Sequence, residues 1–504
     1  MVRIINMLAF PQIPLFFLGF IAILVFLMAR FLRIRNVFMA LITALSFLCV
    51  FVYFVCEDQL LQFLEIHFPS FENTLTGVIA PGVFNSNDPG SVLICMVACG
   101  LAFLISLYSA EYLKNDGRQH AFYPLLILMM CGFMGMLFTN NLMTMYLFCE
   151  LTSICAYTLV AFRRNDDMAI EAGFKYLMMG SVASIVLLMG ITLIFQATGT
   201  VNLSQIANIN DLPVQIGLIM ILASFSLKSA FVPLHTWLPD AHGKAPSGIS
   251  AILSGILLQG FFYTMLRVCL TLGMNRLILS NILICLALLN ILVGNLMGLV
   301  QTQTKRLLGY STIAQMGYIG LCFAIGLRTQ STLALQSGFF LIIAHAIAKS
   351  LAFLVNGVYY HYFNATEIID LQQADRLTYF LSLAFGISVL SLAAIPPFPG
   401  FMGKWTFLTS AFTQMEGWSL VSAIAILAGS LISLGYYLKL LHNLFFKPAT
   451  DRTDRSSASQ QKVSIWMLIP ITVLVFLILL ITVKPQSIMD GTQPAAQFLL
   501  MLMR

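Results

Sequence analysis

Residues 223–255 read ASFSLKSAFVPLHTWLPDAHGKAPSGISAILSG. Lys228 lies inside an apolar run that is interrupted at Pro233 and again at Pro239, and the run resumes after Pro246. A lysine in this setting has no polar face to share. Working outward, the surroundings repeat the pattern: the 504-residue chain is 59% hydrophobic and only 9% charged. Apolar runs of about twenty residues recur along it, each long enough to cross roughly 30 Å of hydrocarbon. They are continuous rather than alternating, which excludes a membrane β-barrel. The fold class is all-α, a polytopic integral membrane protein. A charged side chain at the bilayer centre costs roughly 2.5–3.5 kcal/mol on insertion scales, so Glu150, Lys228, Lys349 and Lys404, each inside or beside such a run, stand out as functional candidates.

Reading the runs in order gives about fourteen spans, near 12–29, 37–56, 91–110, 122–139, 142–162, 171–196, 214–234, 246–272, 278–301, 307–327, 332–360, 377–415, 419–446 and 463–484. The first is read as a retained helix, because no small-residue cleavage site precedes Arg30. Pro233 predicts a break in 214–234, and Pro396, Pro397, Pro399, Gly400 and Gly403 predict another in 377–415. Matched interruptions, each with a lysine nearby, point to a transporter built of inverted repeats. The expected organisation is an N-terminal three-helix segment over 1–110, a first repeat over 111–272, a second over 273–446, and a cytoplasmic loop plus a last helix over 447–504. The stretch 486–504 reads as an amphipathic segment on the outer face.

Net charge is +6, but the basic residues are scattered over short loops in ones to threes, which argues against nucleic acid. Arg30, Arg33, Arg35, Lys114, Arg118, Arg163, Arg164, Lys175, Lys244, Lys305, Arg306, Arg376, Lys447, Arg452, Arg455 and Lys462 fall on one side of the predicted spans; Arg3, Arg276, Arg328, Lys484 and Arg504 fall on the other. The positive-inside rule makes the first side cytoplasmic and puts both termini outside. Glu57, Asp58, Glu65, Glu72 and Asp88, in a loop without Lys or Arg, agree with that orientation. The ten cysteines lie mostly within spans, without a CxxC pair or a His/Cys ligand set, so no metal site is expected. Nor is a redox cofactor: there is no dinucleotide glycine fingerprint, no P-loop and no iron–sulfur pattern.

A buried carboxylate brought near a buried lysine strengthens its hold on a proton, and withdrawing it weakens that hold. Glu150, in YLFCELTSICAYTLV, and Lys228 are the natural pair for such a switch. The alternative for Glu150 is a structural carboxylate bonded to Thr152, Ser153 or another helix. A lysine in apolar surroundings can shed its proton near neutral pH, as arginine cannot. His345 and Lys349, in LIIAHAIAKSLAFL, are four residues apart and share a helical face. Lys349 either relays protons there or snorkels to an interface. Lys404 follows IPPFPGFMGK and serves either as a terminal relay or as a solvated helix end. His235, Asp240 and His242 are candidate uptake residues at the cytoplasmic mouth, with loop hydrogen bonding as the alternative.

These stretches carry a resemblance. SLKSAFVPLHTWLPDAHGKAPSGISAILSG, TKRLLGYSTIAQMGY, HAIAKSLAFL and PPFPGFMGKW are similar, in the same order, to motifs of the proton-pumping membrane subunits shared by respiratory complex I, membrane-bound hydrogenases and Mrp-type cation/proton antiporters. The resemblance covers roughly residues 90–445. It implies a fourteen-helix fold with two inverted five-helix repeats. It assigns Glu150 to the family's fifth-helix glutamate, Lys228 to its seventh-helix lysine, Lys349 with His345 to its eleventh-helix relay and Lys404 to its twelfth-helix lysine. Two positions depart from the pattern. Gln259 stands where many relatives carry an eighth-helix lysine, and Gln315 where some carry histidine. An amide orients water but does not take up a proton at physiological pH.

The resemblance implies a proton-translocating subunit, without a cofactor of its own, in a redox-driven complex of the bacterial inner membrane. Its partners would be other membrane and peripheral subunits, with protons or sodium as the transported ion and lipid around it. The alternatives are an Mrp-type cation/proton antiporter subunit, or a proton channel that energises a cytoplasmic partner such as an inorganic-carbon uptake enzyme.

Overall fold

Backbone amides in hydrocarbon have no water to bond, so each crossing segment must satisfy them within a helix. The computed structural model describes residues 12–31, 36–55, 88–206, 211–371, 376–446 and 463–503, and its long elements are all helical. In order they are α1 (Gln12–Phe31), α2 (Asn36–Val55), α3 (Pro89–Tyr112), α4 (Gln119–Phe138), α5 (Leu142–Val160), α6 (Asp167–Thr198), α7 (Leu212–Lys228) and α8 (Trp237–Lys244). There follow α9 (Ser247–Thr271), α10 (Arg276–Leu299), α11 (Thr304–Thr329), α12 (Thr332–Phe363), α13 (Arg376–Leu392), α14 (Pro399–Gln414), α15 (Gly417–Phe445), α16 (Ile465–Val483) and α17 (Pro485–Met501).

Among the described residues, twelve helices are long and apolar enough to cross a membrane. The expected spans 214–234 and 377–415 are each divided, into α7 with α8 and into α13 with α14. Both divisions use the same turn. After α7, Ala230 takes a left-handed φ of 56° and the amide of Phe231 donates to Ser226 O at 2.8 Å; Pro233 follows. After α13, Ala394 has φ 57° and the amide of Ile395 donates to Leu390 O at 3.1 Å; Pro397 follows. The two lysines lie on opposite sides of these turns: Lys228 ends α7, whereas Lys404 sits in the second turn of α14.

The spanning stretches of α9, α11 and α12 are wholly buried, while those of α1, α15 and α16 are only one-third buried. Leu431 on α15 and Val483 on α16 are among the most exposed apolar residues, as a lipid-facing rim requires. The polar side chains described below therefore converge on the three innermost helices. On α17, Met489, Thr492, Ala495, Ala496 and Leu499 form the buried stripe, so this helix is amphipathic as expected, and it packs on α12 and α3. The acidic stretch Glu57–Glu72, the polar loop 450–462, and Arg3, Arg33, Arg35, Lys447 and Arg504 lie outside the described residues, as does the side chain of Arg376.

Where α6 crosses α7, Gly190 and Gly217 face each other. A Cβ on either would come within 2.7 Å of the other's carbonyl oxygen. Small residues at a membrane helix crossing let the backbones approach this closely. Nearby, Ser224 Oγ donates to Ala183 O at 2.7 Å across the same interface. Gly217→Ala should push the helices apart at a cost of about 1–3 kcal/mol. The thermal midpoint of the detergent-solubilised protein should fall, and Gly190→Ala/Gly217→Ala should fall further.

A buried polar path as the candidate functional site

Three clusters of polar groups occupy the interior. In the first, Lys228 is only 3% exposed, and its Nζ donates to Ser153 Oγ at 2.9 Å and Ser184 Oγ at 3.1 Å. Glu150 Oε1 lies 3.4 Å from the same nitrogen and accepts a hydrogen bond from Ser184. Glu150, predicted as the lysine's partner, is thus joined to it both directly and through a hydroxyl on α6. Ser184 was not anticipated, because a serine in an apolar span carries no distinctive signal.

The second cluster centres on the carbonyl of Ser254. Residues Leu253–Leu257 within α9 form a π-helical turn. Such a turn sets carbonyls free for side chains, and it recurs at functional sites. Gln259 Nε2 donates to Ser254 O at 3.1 Å, and His345 Nε2 lies 3.1 Å from the same oxygen. The two predicted positions, one of them the departure from the family pattern, therefore meet at one backbone atom. Gln259 Oε1 and His345 Nδ1 are buried, with no partner among the described residues. Ser254 Oγ is hydrogen-bonded to Thr312 Oγ1 at 2.6 Å, and Thr312 Oγ1 donates to Leu308 O at 2.9 Å. Lys349 Nζ donates to that same Leu308 O at 2.8 Å and also to Ser311 Oγ. Lys349 is fully buried, which leaves no room for snorkelling.

The third cluster surrounds Lys404, which is 4% exposed and so is not a solvated helix end. Its Nζ donates to Ser430 Oγ at 2.8 Å and lies 3.7 Å from the centroid of the Tyr318 ring. A cation over an aromatic face is stabilised by the ring quadrupole. Gln315 Nε2 donates to Leu392 O at 2.9 Å, a carbonyl at the end of α13. His345 and Lys404 line one small cavity with Gln315, Ser391 and Gly400. Its volume of about 10 Å³ is near the lower limit for a single water. Lys228, by contrast, is separated from the Ser254 carbonyl by packed aromatics; its Nζ lies 5.9 Å from the centroid of the Phe261 ring.

At the cytoplasmic mouth, Asp240 is held by Lys175 at 3.2 Å and Arg306 at 3.5 Å, beside a cavity of about 320 Å³ that Glu171 and Lys244 also line. His235 is half-buried, and burial lowers its proton affinity from the ordinary imidazole range. His242, on the short α8, is fully buried and pushed down to about 3 by burial, then by Lys349 and Lys305. The three predicted uptake residues are therefore not equivalent: Asp240 is paired at the surface, and His242 is enclosed.

A further buried set escaped the sequence reading. Asp88, fully buried, accepts hydrogen bonds from Tyr263 Oη, from Ser91 Oγ at 2.7 Å, and from the amides of Gly90 and Ser91 at 3.0 and 3.1 Å. Arg267, 2% exposed, lies 3.7 Å from it and donates to Thr139 O at 2.7 Å. The available signal was Arg267 itself, a charge inside the apolar run SGILLQGFFYTMLRV.

Comparison with known proteins follows this geometry closely. Residues 139–433, more than half the chain, match the transmembrane family described as NADH:quinone oxidoreductase/Mrp antiporter. The F(420)H(2) dehydrogenase subunit N of Methanosarcina mazei is 30% identical over 387 residues, 74% of this chain and 77% of that protein. The NADH-quinone oxidoreductase subunit N of Alkalilimnicola ehrlichii is 32% identical over 389 residues, 75% and 78% of the two chains. Among solved structures, a chain of the archaeal membrane-bound sulfane sulfur reductase superposes with a TM-score of 0.80 at 23% identity, covering 99% of both chains. A chain of the Mrp complex from Dietzia gives 0.80 at 20% identity over 100% of both, and one of respiratory complex I from Thermus thermophilus gives 0.74 at 24% over 95% and 98%.

Proposed function

Because this chain belongs to the transmembrane NADH:quinone oxidoreductase/Mrp antiporter family, we propose that it is the proton-translocating membrane subunit of a larger redox-driven complex. It would lie in the bacterial inner membrane with both termini outside and lipid around its rim. The electrons would be handled by partner subunits, since this chain supplies carboxylate, amine, imidazole and amide groups rather than a redox centre. The observation that carries the reading is the Glu150–Ser184–Lys228 contact: a titratable pair held by one hydroxyl between three helices, which a small shift of α5 or α6 would open.

The working sequence follows from the groups in place. With the pair closed, Glu150 and Ser153 stabilise the Lys228 ammonium. With Glu150 withdrawn, the ammonium is left in apolar surroundings and gives up its proton toward α9. Gln259 keeps its amide on Ser254 O and leaves Oε1 to accept from water, so it orients rather than carries. His345 and Lys349 take the proton on, and the shared cavity passes it to Lys404 for release outside. Relay through hydroxyls, carbonyls and a confined water needs no fixed charge at position 259. Uptake on the cytoplasmic side falls to His235, Asp240 and His242. The comparably close superposition on a chain of the Mrp complex favours one second reading, a cation/proton antiporter subunit.

Purification from native membranes in mild detergent, with mass spectrometry of every co-purifying chain, separates the two. Redox-centre-bearing partners support the first reading, and partners lacking them with sodium-dependent proton flux support the second. Within either, Lys404→Arg keeps a cation on Tyr318 but holds its proton permanently. Proton translocation into inverted vesicles should then drop on the order of a hundredfold, and wild-type flux in that variant would remove Lys404 from the path.

A further inference from the structure

His242 is the enclosed imidazole that the path just described does not explain. Both ring nitrogens are buried and without a partner among the described residues. Its ring packs on the Phe353 ring at 5.1 Å between centroids, and a Cβ built on Gly309 would meet His242 Cδ2 at 3.5 Å. Phe353 lies one helical turn beyond Lys349 on α12, and Gly309 follows Leu308, whose carbonyl accepts from Lys349 Nζ at 2.8 Å. On its other side, Gly309 lies one turn along α11 from Lys305. Lys305 Nζ donates to Ala245 O at 2.9 Å, three residues beyond His242, and stands 5.6 Å from the centroid of the Tyr360 ring. Arg163 stands 5.3 Å from the same ring. The imidazole is thus bracketed by a half-buried lysine at the cytoplasmic edge and a fully buried one at the centre, Lys305 and Lys349.

Resting on the proton-translocation reading above, we infer that Lys305 and His242 form a separate cytoplasmic uptake branch that loads Lys349 directly, without passage through Glu150 and Lys228. In this branch a cytoplasmic water protonates neutral Lys305. The Lys305 ammonium passes its proton through a bridging water to the unprotonated ring nitrogen of His242. The opposite ring nitrogen releases its own proton toward the Lys349 amine, and the imidazole ends neutral in the other tautomer. No oxidant or reductant enters, and charge is conserved at each transfer. An imidazole buried among lysines stays neutral at rest, and a neutral ring has the one donor and one acceptor this exchange needs.

The test uses the complete complex purified from native membranes and reconstituted in proteoliposomes containing pyranine, with a potassium–valinomycin potential driving proton uptake. Lys305→Arg keeps a cation over Tyr360 but cannot shed its proton, so uptake should fall at least about tenfold with the complex still assembled. His242→Gly should fall equally, and millimolar imidazole should restore most of the flux by occupying the vacated space. Wild-type flux in Lys305→Arg overturns the branch. A His242→Gly loss that imidazole does not repair assigns the histidine a packing role and also overturns it. Lys404→Arg run in parallel keeps the two claims apart: undiminished flux there sinks the underlying path, whereas loss there with wild-type Lys305→Arg sinks the branch alone.

Discussion

Glu150→Gln should reduce proton translocation on the order of a hundredfold and, separately, lower the stability of the protein by about 3 kcal/mol. The two effects have one cause. Lys228 is 3% exposed, and its charge is offset by Glu150 at 3.4 Å together with the Ser153 and Ser184 hydroxyls. Removing one member of a buried ion pair strands the other, which costs far more than the pair itself contributes. Lys228→Met should therefore be milder for stability, since the remaining carboxylate is 24% exposed and keeps the Ser184 hydroxyl. It should be at least as severe for translocation. The double variant Glu150→Gln/Lys228→Met should recover most of the stability lost in Glu150→Gln and none of the activity. Thermal inactivation of the purified protein and dye-quenching in inverted vesicles read the two quantities independently. A double variant no more stable than Glu150→Gln alone would show that the contact is not an energetic pair.

This pair also marks how far the sequence could be read. Lys228, Lys349, Lys404 and Glu150 announce themselves because charge is rare and costly in apolar runs. The two broken segments were legible because proline leaves a backbone carbonyl without its helical donor. What joins these groups was not legible. Ser184, Thr312 and Ser311 are ordinary residues of membrane helices, and only their position across an interface makes them links. The π-helical turn at Leu253–Leu257 has no compositional mark, yet it offers the carbonyl on which Gln259 and His345 converge. From sequence, Gln259 read as a gap in a chain of lysines, whereas in three dimensions it is one of two donors on a shared acceptor. His242 and Asp240 looked alike as polar residues of one loop. Folding buries the first and pairs the second with two basic side chains, because α8 turns one face into the bundle and the other toward α6 and α11.

The largest loss of stability should come from outside the relay, at Asp88→Ala. This carboxylate caps the first turn of α3 through the amides of Gly90 and Ser91, accepts from Tyr263 and Ser91, and faces Arg267 at 3.7 Å. Alanine removes the cap, worth about 1 kcal/mol, and leaves a guanidinium enclosed with only backbone carbonyls, worth a further 3–5 kcal/mol or so. Arg267→Met should cost less, because Asp88 would keep its four hydrogen bonds; Asp88→Ala/Arg267→Met should be more stable than Asp88→Ala. The fraction of protein remaining monodisperse after heating in detergent measures the order. If Asp88→Ala proved milder than Arg267→Met, the carboxylate would not be the centre of this cluster. The consequence reaches the relay through α9, which carries Tyr263 and Arg267 at its outer end and Gln259 with the π-helical turn one turn earlier. Close packing enforces that coupling: a Cβ at Gly90 would overlap the Tyr263 hydroxyl and one at Gly260 would overlap the Phe133 ring, so α9 has little freedom to slide. Asp88→Asn, which keeps the cap but loses the charge, should therefore weaken stability less than alanine and lower translocation in proportion to the register that α9 loses at Ser254.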